Sequence, residues 1–379
     1  LGILAVNALA FAWPHILIAP VETPPPVDST MADTIGVWVI DVFFADKMRT
    51  LFTMLFGVSI FLVGGERSDL DRGALLRRRL GWLALIGALH GALLWFGDIL
   101  LLYAISGFAF LFFWSARRLL WVGGLITLFW ALLAVGFYWA MGNIPPEMAA
   151  EFEQGMAAPT PEMIQAVVDT YRSGGFAGFM ANLTTWATFA VFMLMMIPVS
   201  VPLMAVGLGL FKSGFLTGQS PMWVYLTVLV VGGANLALSA IWGWQAAMAP
   251  DGVDPTGGWA HASTGAAPLV TLFYVTALIL LTKFGLRVIT QVLVPVGRMA
   301  FTNYLTQTLI MVTLYYAAWG PLWYGTHSTS QMWMVVGAVW LAQLIWSPLW
   351  LSVFRMGPLE WAWRCLTYGR MVRISKGGD

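Results

Sequence analysis

Nothing constrains the fold of this chain more than its apolar runs, which are long enough to cross a bilayer and recur along almost its whole length. In "LIGALHGALLWFGDILLLYAI", residues 85–105, only His90 and Asp98 interrupt the hydrocarbon character. A helix of about 20 residues spans roughly 30 Å of hydrocarbon. Lipid offers no partner to a free backbone N–H or C=O, so such runs pair their backbones internally, as helices. With 59% apolar and 10% charged residues in 379, and a mean hydropathy of +0.79, the chain lies outside the soluble range. The fold class expected is all-α, a polytopic transmembrane helical bundle.

About ten spans are read, at 1–19, 35–65, 80–97, 99–115, 119–141, 183–211, 222–248, 267–282, 300–318 and 332–354. Together they form a single transmembrane domain over 1–379, with outer loops 20–34, 142–182 and 249–266 and a short cytoplasmic tail, 355–379. Charge tests this map independently. With the N-terminal end inside, every Lys and Arg of the 19 except Lys47, Arg49 and Arg172 falls in a cytoplasmic segment, while the outer loops carry Glu22, Asp28, Glu147, Glu162, Asp251 and Asp254. Both ends are therefore expected in the cytoplasm by the positive-inside rule. The net charge of +1 hides this segregation and implies no nucleic-acid partner.

The lone Cys365 excludes an internal disulfide and a cysteine zinc cluster, and the four His, including His15 near the outer surface, are far apart in sequence; no metal is expected. The chain opens inside an apolar helix without Met or a basic leader, so the natural start is expected upstream.

The polar residues inside the spans are the candidates for chemistry. At about 1.5 Å per residue, His90 sits roughly 16 Å above Arg79 at the cytoplasmic edge, near the bilayer midplane, and Asp98 about 12 Å higher. An ionisable group at that depth costs about 2.5–3.5 kcal/mol, so both must face the bundle interior. His90 is either a functional base or a packed imidazole, and Asp98 either caps the helix that follows it or acts with His90. The segment 35–65 is longer than a span needs, and Asp46 and Lys47 in its outer half either line a polar vestibule or, with Arg49, snorkel to the headgroups. Asn303 and Gln307 share a helix face, with Tyr304 beside them; buried amides either fasten helices or hold a ligand. Asn7 is a further buried amide. Arg298 lies at the inner edge, and Glu360 and Arg364, four apart, can pair on a surface helix.

These stretches carry a resemblance. "LGILAVNALAF", "RTLFTMLFGVSIFL", "RRRLGWLALIGALHGALLWFGDILLLYAI", "GRMAFTNYLTQTLI" and "GPLEWAWRCLTYG" occur in the order found in the YeiB family of multi-pass bacterial inner-membrane proteins, which the chain resembles over essentially its full length. More distantly it is similar to transmembrane acyltransferases, namely the acyltransferase-3 proteins and the lysosomal heparan glucosaminide acetyltransferase. The resemblance implies an acyl-CoA donor bound from the cytoplasm and an acyl group delivered to an outer hydroxyl or amine. It carries the family's His to His90 and its Gly-Asp to Gly97 and Asp98. The Asn-Tyr-x-x-Gln pattern falls on Asn303, Tyr304 and Gln307, and the first-span Asn on Asn7. Acyltransferase-3 proteins have a basic residue ahead of a His in their first span, where this chain has Asn7; Arg79 and His90 have a comparable spacing in the third.

The expected scheme makes His90 and Asp98 catalytic. Arg79 and Arg298 hold CoA phosphates, Asn303 and Gln307 bond the thioester carbonyl, and Tyr304, Asn7, Asp46 and Lys47 contact substrate. The partners expected are membrane lipids, a small-molecule or lipid substrate and, where the chain self-associates, a second copy in a homodimer. The alternative is a transporter or binder of a lipid or lipophilic molecule, with His90 and Asp98 as a proton relay.

Overall fold

A computed structural model of the chain describes residues 1–14, 30–64, 70–109, 114–145, 148, 159–250 and 254–376. His15 and most of the first outer loop lie outside them. Among the described residues the chain is all-α, and its one extended pairing is an isolated antiparallel bridge between Phe354 and Ser375.

The helices are α1 (Gly2–Ala12), α2 (Met31–Val39, running on through a wide turn at Ile40–Phe44), α3 (Lys47–Gly64), α4 (Leu70–Leu93) and α5 (Leu100–Ala109). Next come α6 (Ala116–Met141), α7 (Pro161–Arg172), α8 (Gly175–Met195), α9 (Ile197–Lys212) and α10 (Met222–Ala247). The chain ends with α11 (Trp259–Gly265), α12 (Ala267–Lys283), α13 (Arg287–Arg298), α14 (Ala300–Tyr315), α15 (Thr329–Val353) and α16 (Pro358–Tyr368). Among the described residues α6, α8, α10 and α15 are each long and apolar enough to cross a membrane, and α11 with α12, bent by 61°, adds a fifth if counted as one span. Their outward faces are rich in exposed Leu, Phe, Trp and Val, as surfaces made for lipid must be. The protein is an all-α helical membrane protein.

Three apolar runs read as single spans are broken, each for a local reason. The run 183–211 divides at Met196 into α8 and α9, because Pro198 and Pro202 supply no backbone N–H to an unbroken ladder. The run 35–65 divides at Ala45–Asp46, where Asp46 takes the left-handed conformation at φ 57°. The run 80–97 stops being helical at Leu93, and residues 94–99 form a turn before α5. The connections between these runs are partly helical: α7 and the first turns of α8 lie within 142–182, where the amphipathic stretch breaks at Gly174 and Gly175, and α11 lies within 249–266.

One close crossing, of α3 with α9, organises the interior through two glycines. Gly57 on α3 lies against the Met204 backbone of α9, and Gly207 on α9 lies against the Met54 backbone of α3. Any Cβ at either place would meet main chain, so small residues set this approach. α7 docks on the α14–α15 connection: Tyr171 stacks on Tyr324 at 4.5 Å, and Arg172 Nε donates to the Tyr324 carbonyl at 2.6 Å. Gly325 N–H reaches the Ala12 carbonyl at 2.7 Å, tying the same connection to α1. The last helix, α16, lies against α4 and α14.

Candidate functional site

The end of α4 is where the sequence builds something a plain span does not need. After Leu93 the chain leaves the helix, and the freed backbone groups are taken up by other helices. Asn182 of α8 accepts from Phe96 N–H at 2.9 Å and donates to the Gly91 and Ala92 carbonyls, both at 3.1 Å. Tyr316 donates to the Leu94 carbonyl at 2.8 Å. Trp95 stacks on Phe11 at 4.0 Å. This clamp fixes the turn that carries Asp98.

Asp98 uses both oxygens. Oδ2 accepts from Leu101 N–H at 2.9 Å, capping α5, and Oδ1 lies 2.8 Å from His90 Nδ1. One side chain thus both caps α5 and contacts His90. Gly87, one turn before His90, makes room, since a Cβ there would press on Asp98 Oδ2 and on the α5 backbone. The other nitrogen of His90, Nε2, lies 3.0 Å from Thr308 Oγ1 on α14. His90 and Asp98 are each 3% exposed and Thr308 1%. With Nδ1–H donating to the carboxylate, Nε2 is left to accept the Thr308 hydroxyl proton. Tyr304, one turn before Thr308, faces the His90 ring at 5.4 Å, and its buried hydroxyl, beside the Ile99 backbone, donates to no group among the described residues.

Thr308 was not picked out from the sequence. Its signal was there in its spacing, four residues after Tyr304 and so on the same face of α14. Asn303 and Gln307 lie on a different face, turned towards α15. Asn303 Nδ2 donates to the Val296 carbonyl and to Ser347 Oγ, both at 3.1 Å, and Oδ1 accepts from Trp346 Nε1 at 2.8 Å. Gln307 Nε2 donates to Gln343 Oε1 at 2.8 Å. These amides fasten α14 to α13 and α15, and the thioester role read for them does not suit where they point. Asn7 is half-buried on α1, which packs on α14 and α15.

A second polar cluster sits at the break between α2 and α3. Lys47 is wholly buried and does not snorkel: Nζ donates to the Asp41 carbonyl at 2.6 Å, and its own carbonyl accepts from Thr271 at 3.0 Å. Arg49, about a third exposed, holds Asp46 Oδ1 through Nε at 3.1 Å and Nη2 at 2.8 Å. Its carbonyl accepts from Thr53 at 2.8 Å and from Tyr103 at 3.3 Å.

Where α16 meets α4, the guanidinium of Arg79 lies 3.7 Å from the centroid of the Trp363 ring. Arg298 is exposed and donates to the Arg355 carbonyl at 2.8 Å. Glu360, read as a partner of Arg364, instead caps α14: Oε1 accepts from Phe301 N–H at 2.8 Å and Thr302 N–H at 3.1 Å, and Oε2 accepts from the Thr302 hydroxyl. A helix N-terminus offers free N–H groups and positive potential, which one exposed Arg does not match. A pocket of about 290 Å³ between α7 and α8 reaches the clamped turn through Phe96. Among the described residues no group of three or more His, Cys, Asp or Glu could hold a metal ion.

Residues 210–370 match the model of a family described as a protein of unknown function, DUF418. That stretch contains Tyr304 and Thr308 but not His90 or Asp98. The chain is similar to the uncharacterized protein YxaH of Bacillus subtilis (strain 168), 29% identical over 413 aligned residues covering 99% of this chain and 93% of the relative. It is equally similar to the uncharacterized protein YeiB of Escherichia coli (strain K12), 29% identical over 406 residues, 97% of this chain and 93% of the relative. A shorter match, 33% over 118 residues, is to an uncharacterized 39.9 kDa protein in the amylase 3′ region of Bacillus acidopullulyticus. No solved structure matches.

Proposed function

The chain belongs to the YeiB family, and on that premise we propose that it is a transmembrane acyltransferase of the bacterial inner membrane, moving an acyl group from a cytoplasmic acyl-CoA to a hydroxyl or amine of an envelope or small-molecule acceptor. The observation that carries this reading is the buried Asp98–His90–Thr308 relay, a carboxylate on one imidazole nitrogen and a hydroxyl on the other. A base oriented by a carboxylate and already in contact with a hydroxyl is the arrangement that acyl transfer requires. The segregated charges support about ten spans with both ends inside.

In this scheme Asp98 holds Nδ1–H, so Nε2 is the base. The acceptor hydroxyl takes the place of Thr308 at Nε2 and gives up its proton there as its oxygen attacks the thioester carbonyl carbon. The C–S bond then breaks, and the departing thiolate takes the proton back from the imidazolium. Tyr304, whose buried hydroxyl donates to no group among the described residues, is the donor for the carbonyl oxygen as it gains charge. Arg79 and Arg298 serve the donor's phosphates at the inner edge, and the pocket beside Phe96 serves the acceptor.

A second reading, a proton-coupled transporter, is favoured by the cluster Tyr103, Thr53 and Arg49, whose hydroxyls and main chain form a buried hydrogen-bonded group on α3 and α5. Calorimetry with acetyl-CoA on the detergent-solubilised protein, followed by single-turnover assays, separates the two. The acyltransferase reading expects saturable binding that weakens in Arg79→Ala and persists in His90→Ala, with acyl loss from CoA abolished in His90→Ala. Absence of binding in the unaltered protein ends that reading and leaves transport first.

A further inference from the structure

The turn from α12 into α13 builds a second site that acyl transfer does not use. α13 is strongly amphipathic: Val288, Val292 and Val294 are exposed on it, and Phe284 and Leu286 are exposed just before it. A short helix of this kind lies in the plane of the membrane interface with its apolar face among acyl chains. Between it, the end of α12 and the turn after α9 runs an open groove of about 540 Å³. Leu278, Ile279, Leu293 and Val294 form its apolar wall, and Lys283 and Arg287 stand at its polar end with the hydroxyls of Thr282 and Thr290.

The charge here is one-sided. Between Lys212 and Glu360 the only acidic residues are Asp251 and Asp254, which belong to the connection at the far end of α10 and α12. Among the described residues the groove is lined by no carboxylate and no aromatic ring. The N-terminus of α13, from which Arg287 and Thr290 line the groove, has no side-chain cap, so its free N–H groups add positive potential. Lys283 is held by the ring of Tyr225 at 5.3 Å.

The geometry points to an anionic phospholipid as the occupant, its phosphodiester between Lys283 and Arg287 and an acyl chain along the Leu278–Val294 wall. A phosphate-bearing nucleotide such as CoA shares the charge, but it would also need a surface for its base, and the wall is aliphatic and open to the bilayer. The inference is independent of the acyl-transfer reading and needs only membrane residence.

The test is native mass spectrometry and thermal unfolding of delipidated protein in a neutral detergent, titrated with phosphatidylglycerol, phosphatidylcholine or CoA. The expected result is retention of phosphatidylglycerol with a rise in unfolding temperature, and neither with phosphatidylcholine. Each cation contributes about 1 kcal/mol near an anionic surface, so Lys283→Gln and Arg287→Gln each weaken binding about fivefold and the double variant about thirtyfold. The single variants keep the test decisive if the double variant does not fold. Arg370→Gln, an exposed cation outside the groove, leaves binding unchanged. Equal binding of both lipids, undiminished phosphatidylglycerol binding in the double variant, or displacement of the lipid by CoA would each overturn the inference.

Discussion

His90→Leu removes the partner of a carboxylate whose side chain is 0% exposed. Oδ2 keeps the Leu101 N–H, but Oδ1 is left buried without a donor, and breaking a buried pair in this way costs about 3–5 kcal/mol. Asp98→Asn keeps the shape and the α5 cap through its amide oxygen, but its Nδ2 donates, so His90 keeps this contact only in the other tautomer, with Nδ1 accepting and Nε2–H donating to Thr308. Exchanging two charge-assisted hydrogen bonds for neutral ones and imposing the other tautomer costs about 1–3 kcal/mol. The double variant has neither the charge nor the imidazole, and its single acceptor still caps α5. Its cost should fall short of the sum of the single changes by about 2–3 kcal/mol, near the upper end for contacting residues. The assay is reversible unfolding in mixed micelles of increasing sodium dodecyl sulfate, followed by tryptophan fluorescence. Additivity to within about 0.5 kcal/mol would refute the pairing and remove the ground for treating His90 as an oriented base.

Three other outcomes test the frame around the site. Asn182→Ala strands the Phe96 N–H and the Gly91 and Ala92 carbonyls and should cost about 1–3 kcal/mol, with faster amide exchange at residues 94–98 in hydrogen-exchange mass spectrometry. Gly57→Ala should destabilise by about 1–3 kcal/mol, because its Cβ meets the Met204 backbone, whereas Gly337→Ala, with nothing near its Cβ, should stabilise by up to about 1 kcal/mol; thermal unfolding of both variants in detergent measures the contrast. Burial lowers the pKa of His327, in the connection between α14 and α15, from its ordinary value of 6.5. A depressed folded-state value means the unfolded chain binds the proton first, so this contribution is intact above about pH 6.5 and is lost as pH falls towards the folded value. The unfolding temperature should therefore fall between pH 7 and pH 5 less steeply in His327→Gln than in the unaltered protein.

Membrane residence and an all-helical fold were legible in the sequence because they follow from quantities that need no partner: run length, hydropathy and the internal pairing demanded of a backbone in lipid. His90 and Asp98 could be picked out for the same reason, since an ionisable side chain in an apolar run must have something to face. What each one faces is a property of neighbouring helices. His90 meets Thr308 across 218 residues of chain, and threonine is too ordinary in an apolar helix to attract notice. Asn303 and Gln307 read as candidates beside Tyr304, yet successive positions on a helix differ by about 100°, enough to send the amides to α15 and leave Tyr304 and Thr308 facing His90. Lys47 shows the same limit, because a lysine near a helix end can snorkel or be buried, and only the packing of α12 and the turn at Asp46 decides for burial. The sequence by itself determined which groups cannot face lipid. Tertiary structure alone decided which groups they meet, because side-chain contacts between helices depend on their rotation and crossing, and local periodicity leaves both free.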